Sequence, residues 1–319
     1  MAEPAESHAP DFTPARAIFA PRMIATRSGT RLRTATFPAA HNRDRGRICV
    51  LLNGQTEFIE KYFEVIDDLR GRGFAVATMD WRGQGRSARA LSDARKVHVA
   101  DFGEYDEDLD TLLREIVAPL AKRLPIGLAH SMGGHNLLRT LHARPDAFAC
   151  AVLCAPMIAI STRGQPAWLA RAVTASMALR GRSSGWVWGM AGRDPLKLLF
   201  SDQVVTSDAQ RWQRTKDLLI DNPDLCLAGP TWGWLQAAFR SMREMDSHRY
   251  AAAITTPTLI VGAGHDRVCI SRAARRFAER MASGRYVEVE GAEHEILMEQ
   301  DRFRTQFWRE FDTFVGAHV

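Results

Sequence analysis

The residues best suited to covalent chemistry surround one serine, where an apolar run changes into a helical pattern. The sequence there reads GLAHSMGG over residues 127–134. Where a strand turns sharply into a helix, the residues two before and two after the serine must be small, because larger side chains would strike the packed backbone. Ala129 and Gly133 meet this requirement, although Ala129 is one methyl larger than the glycine of the usual G-x-S-x-G motif. The pattern predicts that Ser131 is a nucleophile; the competing interpretation is a serine in a surface loop.

An acid and a base follow in the order that such a serine requires. A serine hydroxyl is a weak nucleophile until an adjacent base takes its proton. Two later apolar runs, at residues 258–262 and 285–290, lead into Asp266 and His294 respectively. Parallel sheets place catalytic groups at the carboxyl ends of their strands, so both side chains are expected at the edge that carries the serine. We therefore predict that His294 is the general base and that Asp266 orients it.

The choice of histidine depends on position, because the sequence contains ten. His130 and His135 lie beside the serine, where packing or hydrogen bonding is the expected role. His265 precedes Asp266 and so breaks the order serine, acid, histidine. As a neighbour of the acid, it stays open as a residue that helps to shape the site. For Asp266 the alternative interpretation is a turn-forming aspartate.

Attack by a serine places negative charge on the carbonyl oxygen of the substrate, and this charge needs preorganised donors. One donor is expected to be the backbone N–H of Met132, directly after the nucleophile. The second is expected in the loop after an earlier strand, residues 53–57, which points to the backbone N–H of Gln55. These residues imply no metal and no organic cofactor.

The elements that must position these residues follow from the hydrophobic pattern. Short β-branched runs alternate with amphipathic segments, as in a mostly parallel α/β sheet with helices on both faces. Eight strands are predicted at residues 23–26, 31–36, 48–53, 75–80, 126–130, 149–155, 258–262 and 285–290. Helices are predicted at residues 59–71, 102–122, 132–143, 271–282 and 301–315.

The alternation stops in one long segment, which is helical, rich in tryptophan and without strand signals. It predicts an inserted helical cap at residues 156–250, within an α/β core formed by residues 17–155 and 251–319. Residues 1–16, rich in alanine, proline and acidic residues, are predicted to form a flexible tail. A length of 319 residues accommodates one large domain with such an insertion.

Composition narrows the range of partners. The net charge of +5 comes from scattered arginines without the basic run of a nucleic-acid arm, so no nucleic-acid partner is expected. The start of the sequence lacks a secretory pattern, and no apolar run approaches the ~20 residues that span a bilayer. A cytoplasmic protein is expected, with at most peripheral contact at the inner face of an anionic membrane. Five cysteines without a CxxC pair indicate neither a disulfide framework nor a zinc site.

Two further motifs accompany the predicted triad. Residues 80–87 read DWRGQGRS, which resembles the D-x-R-G-x-G-x-S turn of α/β-hydrolases in the lysophospholipase and monoacylglycerol lipase group. Residues 222–234 read NPDLCLAGPTWGW, which is similar to the cap of bacterial lysophospholipase L2-like proteins, with Ala228 in place of a more usual glycine. Many relatives have His-Gly where this sequence has Asn53-Gly54, a change that should keep the backbone donor and alter the wall beside it. The resemblance implies the α/β-hydrolase fold and activity on lipid esters.

The cap contains six tryptophans and several methionines, and such side chains suit an acyl chain. Packing within the cap is the simpler interpretation for most of them. Trp232 and Trp234, beside a Gly-Pro-Thr turn, are the strongest candidates to contact a substrate.

The favoured function is that of a serine carboxylic ester hydrolase that cleaves a lysophospholipid or monoacylglycerol through an acyl-enzyme. An aminopeptidase or a cofactor-free haloperoxidase would use the same triad, and a non-catalytic binding protein of the same fold is a further alternative. If the protein were an aminopeptidase, we would expect acidic cap residues that bind the free amino group of the substrate, whereas this cap is rich in arginine. A binding protein typically lacks a triad member, and this sequence contains all three. The oligomeric state stays open.

Overall fold

The chain folds around one eight-stranded sheet, which confirms the predicted mostly parallel α/β architecture. The computed structural model describes residues 13–40, 44–162, 164–191 and 194–319. The strands are β1 (Arg22–Ala25), β2 (Arg31–Phe37), β3 (Ile48–Leu52), β4 (Ala75–Met79), β5 (Lys96–Val97), β6 (Ile126–His130), β7 (Cys150–Cys154), β8 (Gly229–Pro230), β9 (Thr258–Ala263) and β10 (Gly284–Val289). The sheet has the order β1-β2-β4-β3-β6-β7-β9-β10. Strand β2 is antiparallel to both of its neighbours, and the other neighbouring pairs are parallel.

Helices cover both faces of this sheet. They are α1 (Phe63–Gly71), α2 (Gly103–Leu112), α3 (Ala118–Leu120), α4 (Met132–Ala143), α5 (Ala167–Leu179), α6 (Ala209–Asp221), α7 (Trp232–Met245), α8 (His248–Ala252), α9 (Ser271–Arg280) and α10 (Asp301–His318). Alternate residues of β3 enter two separate hydrophobic clusters, Val50 and Leu52 on the side of α2, α4 and α7, and Cys49 and Leu51 on the side of α1 and α10. Because side chains alternate across a strand, both faces of the sheet are buried.

The predicted helix at residues 102–122 is interrupted. A π-helical turn, Leu113–Val117, separates α2 from α3. Pro119 has no N–H to donate to the carbonyl of Glu115, four residues earlier, and the Arg22 guanidinium donates to that oxygen instead at 3.0 Å. The proline explains why the amphipathic pattern continues although the regular helix does not.

Between β7 and β9 the chain forms α5 to α8 and one short strand. The expectation that this segment contains no strand is wrong at Gly229–Pro230, which pairs in parallel with Lys96–Val97. Two residues are too few to leave a periodic pattern in the sequence. Residues 1–12 of the predicted tail lie outside the described residues, while Ala15 is buried and its N–H donates to Asp67.

The turn at residues 80–87 is organised by a buried carboxylate. Asp80 is fully buried and accepts hydrogen bonds from the Arg33 guanidinium and from the backbone N–H groups of Ile59 and Arg86, at 2.6–3.0 Å. A Cβ atom at Gly85 would come within 2.0 Å of that carboxylate, and Gly85 has a φ of +49°. Glycine is therefore required here both for space and for conformation.

Replacing Asp80 by asparagine is expected to lower the free energy of unfolding by about 3 kcal/mol, because buried Arg33 loses a charged partner and an amide N–H₂ faces other donors. Asp312→Asn, which removes an exposed partner of Arg72, is the control and should cost at most about 1 kcal/mol. Urea unfolding of both variants measures the difference. Equal losses in the two variants would mean that the burial of Asp80 and its partners adds nothing to the free energy of unfolding.

Candidate active site

The structure brings Ser131, His294 and Asp266 together at the carboxyl edge of the sheet. The Ser131 hydroxyl donates to Nε2 of His294 over 2.9 Å, and the Nδ1–H of His294 donates to Asp266 over 2.8 Å. All three side chains are almost completely shielded from solvent. The geometry is that of a nucleophile, a base that removes its proton and an acid that fixes the tautomer of the base.

Ser131 stands on a strained turn between β6 and α4. Its φ is +50°, a left-handed value that is rare for a residue with a side chain. The turn is fixed from both sides: the Ser131 N–H donates to the carbonyl of Cys154, and its carbonyl accepts from His135 and Met157. The close packing required of Gly133 is also present, since a Cβ there would lie 2.5–2.6 Å from the carbonyl oxygens of Asn53 and Leu52.

Asp266 is oriented by the backbone of its own turn. One carboxylate oxygen accepts from the N–H groups of Val268 and Cys269, both at 2.8 Å, which leaves the other oxygen for His294. Asp266, Cys269 and His294 place three potential metal ligands within 4.8 Å, the one such group in the described residues. Two of these three side chains are already engaged, because His294 is hydrogen-bonded to both Asp266 and Ser131. We therefore assign this group to the triad.

The loop after β3 presents a backbone donor beside the nucleophile. Among the hydrogen bonds of the described residues, the N–H groups of Gln55 and Met132 donate to no protein acceptor. The neighbouring groups of the loop are occupied, because the N–H of Gly54 donates to Glu57 and that of Thr56 to Gln84. An arrangement with two free N–H groups is suited to bind an oxyanion.

Two residues that the sequence analysis did not single out hold this loop. The side chain of Gln84 donates to the carbonyl of Gly54 at 2.9 Å and accepts from Thr56 at 2.8 Å. The indole N–H of Trp81 donates to the carbonyl of Asn53 at 2.9 Å. Both lie in the DWRGQGRS segment, so the motif signalled their importance, but the sequence did not indicate which loop they contact.

Two side-chain atoms beside the loop are buried without a protein partner. They are Oδ1 of Asn53 and Nε2 of Gln55. Buried polar atoms are nearly always hydrogen-bonded in proteins, so an acceptor and a donor without partners need an explanation. Both lie in the loop that carries the Gln55 N–H.

The remaining candidates from the sequence, His265, Trp232 and Trp234, do not join the hydrogen-bonded chain of Ser131, His294 and Asp266. His265 is largely exposed and pairs with Glu293, so it is outside the triad. Trp234 is buried and donates to the hydroxyl of Tyr105 at 3.0 Å, which gives it a packing role. Trp232 is buried at the start of α7 with its ring edge-on to Trp188.

Comparisons with known proteins agree on one group. The family described as serine aminopeptidase, S33, matches residues 43–301. The chain is 33% identical over 295 residues to lysophospholipase L2 of Escherichia coli (strain K12), covering 90% of this chain and 84% of that protein. It is 26% identical to the monoacylglycerol lipase of Mycolicibacterium smegmatis, covering 80% and 83%. A soluble variant of the Saccharomyces cerevisiae monoglyceride lipase, solved with a substrate analog, shares the fold with a TM-score of 0.74 at 15% identity, covering 98% of this chain and 100% of the other.

Replacing Gly133 by alanine is expected to lower the free energy of unfolding by about 1–3 kcal/mol, because the new methyl meets backbone atoms that cannot move aside. Catalysis should fall as well, since the displaced backbone belongs to the loop of Gln55. Gly316→Ala is the matched control, because a Cβ at this position of α10 meets open space and alanine favours a helix. Urea unfolding and ester hydrolysis measure both effects; a Gly133 variant as stable and active as the control would exclude the steric requirement.

Proposed function

The chain belongs to the serine aminopeptidase S33 family of α/β-hydrolases, and we propose from this that it is a serine carboxylic ester hydrolase. Its proposed substrate is a single-chain lipid ester, either a lysophospholipid or a monoacylglycerol. The observation that carries the proposal is the hydrogen-bonded chain Ser131–His294–Asp266 beside two free backbone donors. This arrangement supports acyl transfer through a serine ester.

In the proposed acylation step, Oγ of Ser131 attacks the ester carbonyl carbon while Nε2 of His294 accepts the hydroxyl proton. Negative charge moves to the carbonyl oxygen, where the N–H groups of Gln55 and Met132 stabilise it. The bond to the glycerol oxygen then breaks, and the protonated His294 donates its proton to the departing alcohol. Asp266 stabilises the imidazolium without becoming protonated.

Deacylation repeats the sequence with water. His294 removes a proton from a water molecule, whose oxygen attacks the acyl carbon, and the same donors stabilise the second oxyanion. When the bond to Oγ breaks, His294 returns the proton to Ser131 and the free fatty acid leaves. One water is consumed, and the enzyme returns to its starting state.

Cap charge supports an ester substrate over a peptide with a free amino terminus. Residues 156–250 contain twelve Lys and Arg against eight Asp and Glu. An excess of positive charge repels an ammonium group and suits a neutral or phosphate-containing lipid. The printed names of the relatives, lysophospholipase L2 and monoacylglycerol lipase, support the same substrate class.

The unpartnered side-chain atoms of Asn53 and Gln55 favour a polar head group next to the scissile bond. Both atoms are buried, so a glycerol hydroxyl that donates to Asn53 Oδ1, or a phosphate or hydroxyl oxygen that accepts from Gln55 Nε2, requires these side chains to shift when the substrate binds. We place the acyl chain under the cap and retain Trp232 as its proposed contact, whereas the hydrogen bond of Trp234 to Tyr105 favours packing.

The outer surface of the cap supports peripheral membrane contact. Trp168, Ala172, Ala175 and Leu179 occur at positions i, i+4, i+7 and i+11 of α5 and therefore share one face. Trp168 is 69% exposed and Leu179 89% exposed. Exposed arginines, among them Arg171, flank this face. We propose that this apolar face of α5 lies on an anionic lipid surface, to which Arg171 within the helix and Arg180 and Arg182 directly after it would be attracted. Within the described ranges, no helix combines the length and apolar character needed to cross a bilayer.

Loss of the triad should abolish ester hydrolysis without unfolding the protein. Ser131→Ala and His294→Ala are each expected to lower kcat by roughly 10⁶, and the double variant little further, because the two residues act as one unit. His265→Ala, which changes an exposed histidine near Asp266, should retain near-normal turnover. Rates with lysophosphatidylcholine, monoacylglycerol and aminoacyl amides, with fluorophosphonate labelling, are the measurements.

Three results would reject this assignment. They are turnover that survives in Ser131→Ala, a fluorophosphonate adduct on another serine, and independent, multiplying losses in the double variant. Preferred cleavage of aminoacyl amides would instead support the aminopeptidase alternative.

Removing the apolar side chains of Trp168 and Leu179 together should weaken binding to vesicles that contain anionic phospholipid by about tenfold or more, since each large apolar side chain contributes up to ~2 kcal/mol when buried. The control replaces Leu120 and Leu124, which are similarly exposed near the start of β6 at the opposite edge of the sheet. Vesicle co-sedimentation compares the two double variants. Equal binding by both would rule out α5 as the membrane-facing element.

A further inference from the structure

Four charged side chains form a buried group next to the triad: Glu57, Lys61, His130 and Glu295. We propose that Glu57 is a positioning residue of the hydrolysis, which holds His130 as an imidazolium and thereby fixes the oxyanion loop, the serine turn and the histidine loop relative to one another. This inference rests on the proposed function, because it assigns a role in the same reaction. None of the four residues belongs to the triad or donates to the oxyanion.

Glu57 is the centre of the group. One carboxylate oxygen accepts from the N–H of Gly54, from the hydroxyl of Tyr62 at 2.7 Å and from Nδ1 of His130 at 3.1 Å. The other oxygen accepts from Nζ of Lys61 at 2.7 Å. The side chain is 4% exposed, so a carboxylate without these donors would be strongly disfavoured. Four donors around one buried carboxylate indicate that it is ionised.

The protonation of His130 follows from its two partners. Nδ1 faces the Glu57 carboxylate, and Nε2 faces the backbone carbonyl of His294 at 3.3 Å. Both partners are acceptors only, and a neutral imidazole has a single N–H to donate. Both contacts are hydrogen bonds only when His130 carries a proton on each nitrogen.

The charges around His130 agree with this state. Lys61 also donates to Glu295 at 2.7 Å, so two cations and two carboxylates balance when His130 is protonated. With neutral His130 the group would carry an uncompensated negative charge in a buried environment, which is costly. Tyr62 faces the group from the turn before α1 and Cys154 from β7; burial raises the pKa of both, so they stay neutral. The ring of His294 also faces His130, with the two ring centroids 4.9 Å apart.

The direction of the pKa shifts supports the same assignment. Burial opposes the charge on Glu57, but Lys61 and His130 outweigh it and hold the pKa of the carboxyl well below its usual value. Burial likewise lowers the pKa of His130, but Glu57 and Glu295 outweigh it and raise the pKa of that imidazole. A raised pKa means that the stabilisation is present at low pH and is lost as the pH rises through the folded-state value.

The positions of the contacts explain why loss of the group would affect catalysis. Gly54 precedes the proposed oxyanion donor Gln55, and His130 precedes Ser131. The carbonyl of His294 and the carboxylate of Glu295 lie in the loop of the general base. One buried group thus connects the donor, the nucleophile and the base, and errors of ~1 Å in such geometry lower rates by about 100-fold.

The test compares Glu57→Gln with Asp68→Asn, which removes the charge of a carboxylate that pairs with buried Arg304 between α1 and α10, outside the site. Glutamine keeps the volume of Glu57 but removes its charge. We expect kcat to fall roughly 10- to 100-fold in Glu57→Gln with KM within about twofold, as for lost transition-state geometry. Asp68→Asn should retain the wild-type kcat. The ring of His130, followed by NMR and assigned with His130→Gln, should titrate above 6.5 in the wild type and below that value in Glu57→Gln.

The wild-type titration keeps the proposal testable even if Glu57→Gln does not fold. A wild-type His130 that titrates at or below 6.5 would overturn the proposal. So would unchanged kcat in Glu57→Gln, an equal loss in Asp68→Asn, or a rise in KM at constant kcat, which would make Glu57 a substrate-binding residue. Turnover that persists in Ser131→Ala would refute the proposed function itself, whereas inactive Ser131→Ala with normal Glu57→Gln would refute this inference alone.

Discussion

The catalytic edge depends on one close backbone contact, between the first turn of α4 and the end of β3. A methyl group at Gly133 would lie 2.5 Å from the carbonyl oxygen of Asn53, so the two segments approach as closely as glycine allows. This contact places Ser131 and the Gln55 loop side by side. They lie at the end of β3, which has β4 on one side and β6 on the other. Parallel sheets usually bind ligands at such a point, where the strand order reverses direction. The proposed nucleophile and the two proposed oxyanion donors therefore depend on backbone packing.

The loop after β3 cannot hold its shape by itself. Thr56 has a φ of +62°, a strained value for a β-branched residue that costs of the order of 1–3 kcal/mol. Hydrogen bonds from outside the loop compensate: Gln84 binds both flanks of Gln55, and Asp80 organises the turn that carries Gln84. Asp80 and Gln84 of this motif thus support the loop of the proposed oxyanion donor Gln55, although neither supplies a reacting atom.

The sequence predicted the sheet, because short β-branched runs mark the strands. It also pointed to Ser131, Asp266 and His294, whose side chains the structure joins by hydrogen bonds, because each follows the end of a strand. The supports were not predictable in the same way. Gln84 contacts a loop 28 residues earlier in the chain, and His130 meets Glu57 across 73 residues, separations that only the folded topology specifies. The interruption of the helix at residues 102–122 had a local cause in a proline, but the amphipathic pattern concealed it.

The segment between β7 and β9 differs in packing from one helix to the next. Helix α7 buries nine of its residues and enters the main core cluster. Helix α5 buries only Thr174 and Met177, and α6 buries none. Charge attaches α6 to the core, mainly through Arg211, which binds Glu64 and Asp301. Elements with few buried apolar contacts open most easily. Within this segment, α7 is therefore effectively part of the core, whereas α5 and α6 are the helices that can shift most easily, and α5 also carries the exposed apolar face.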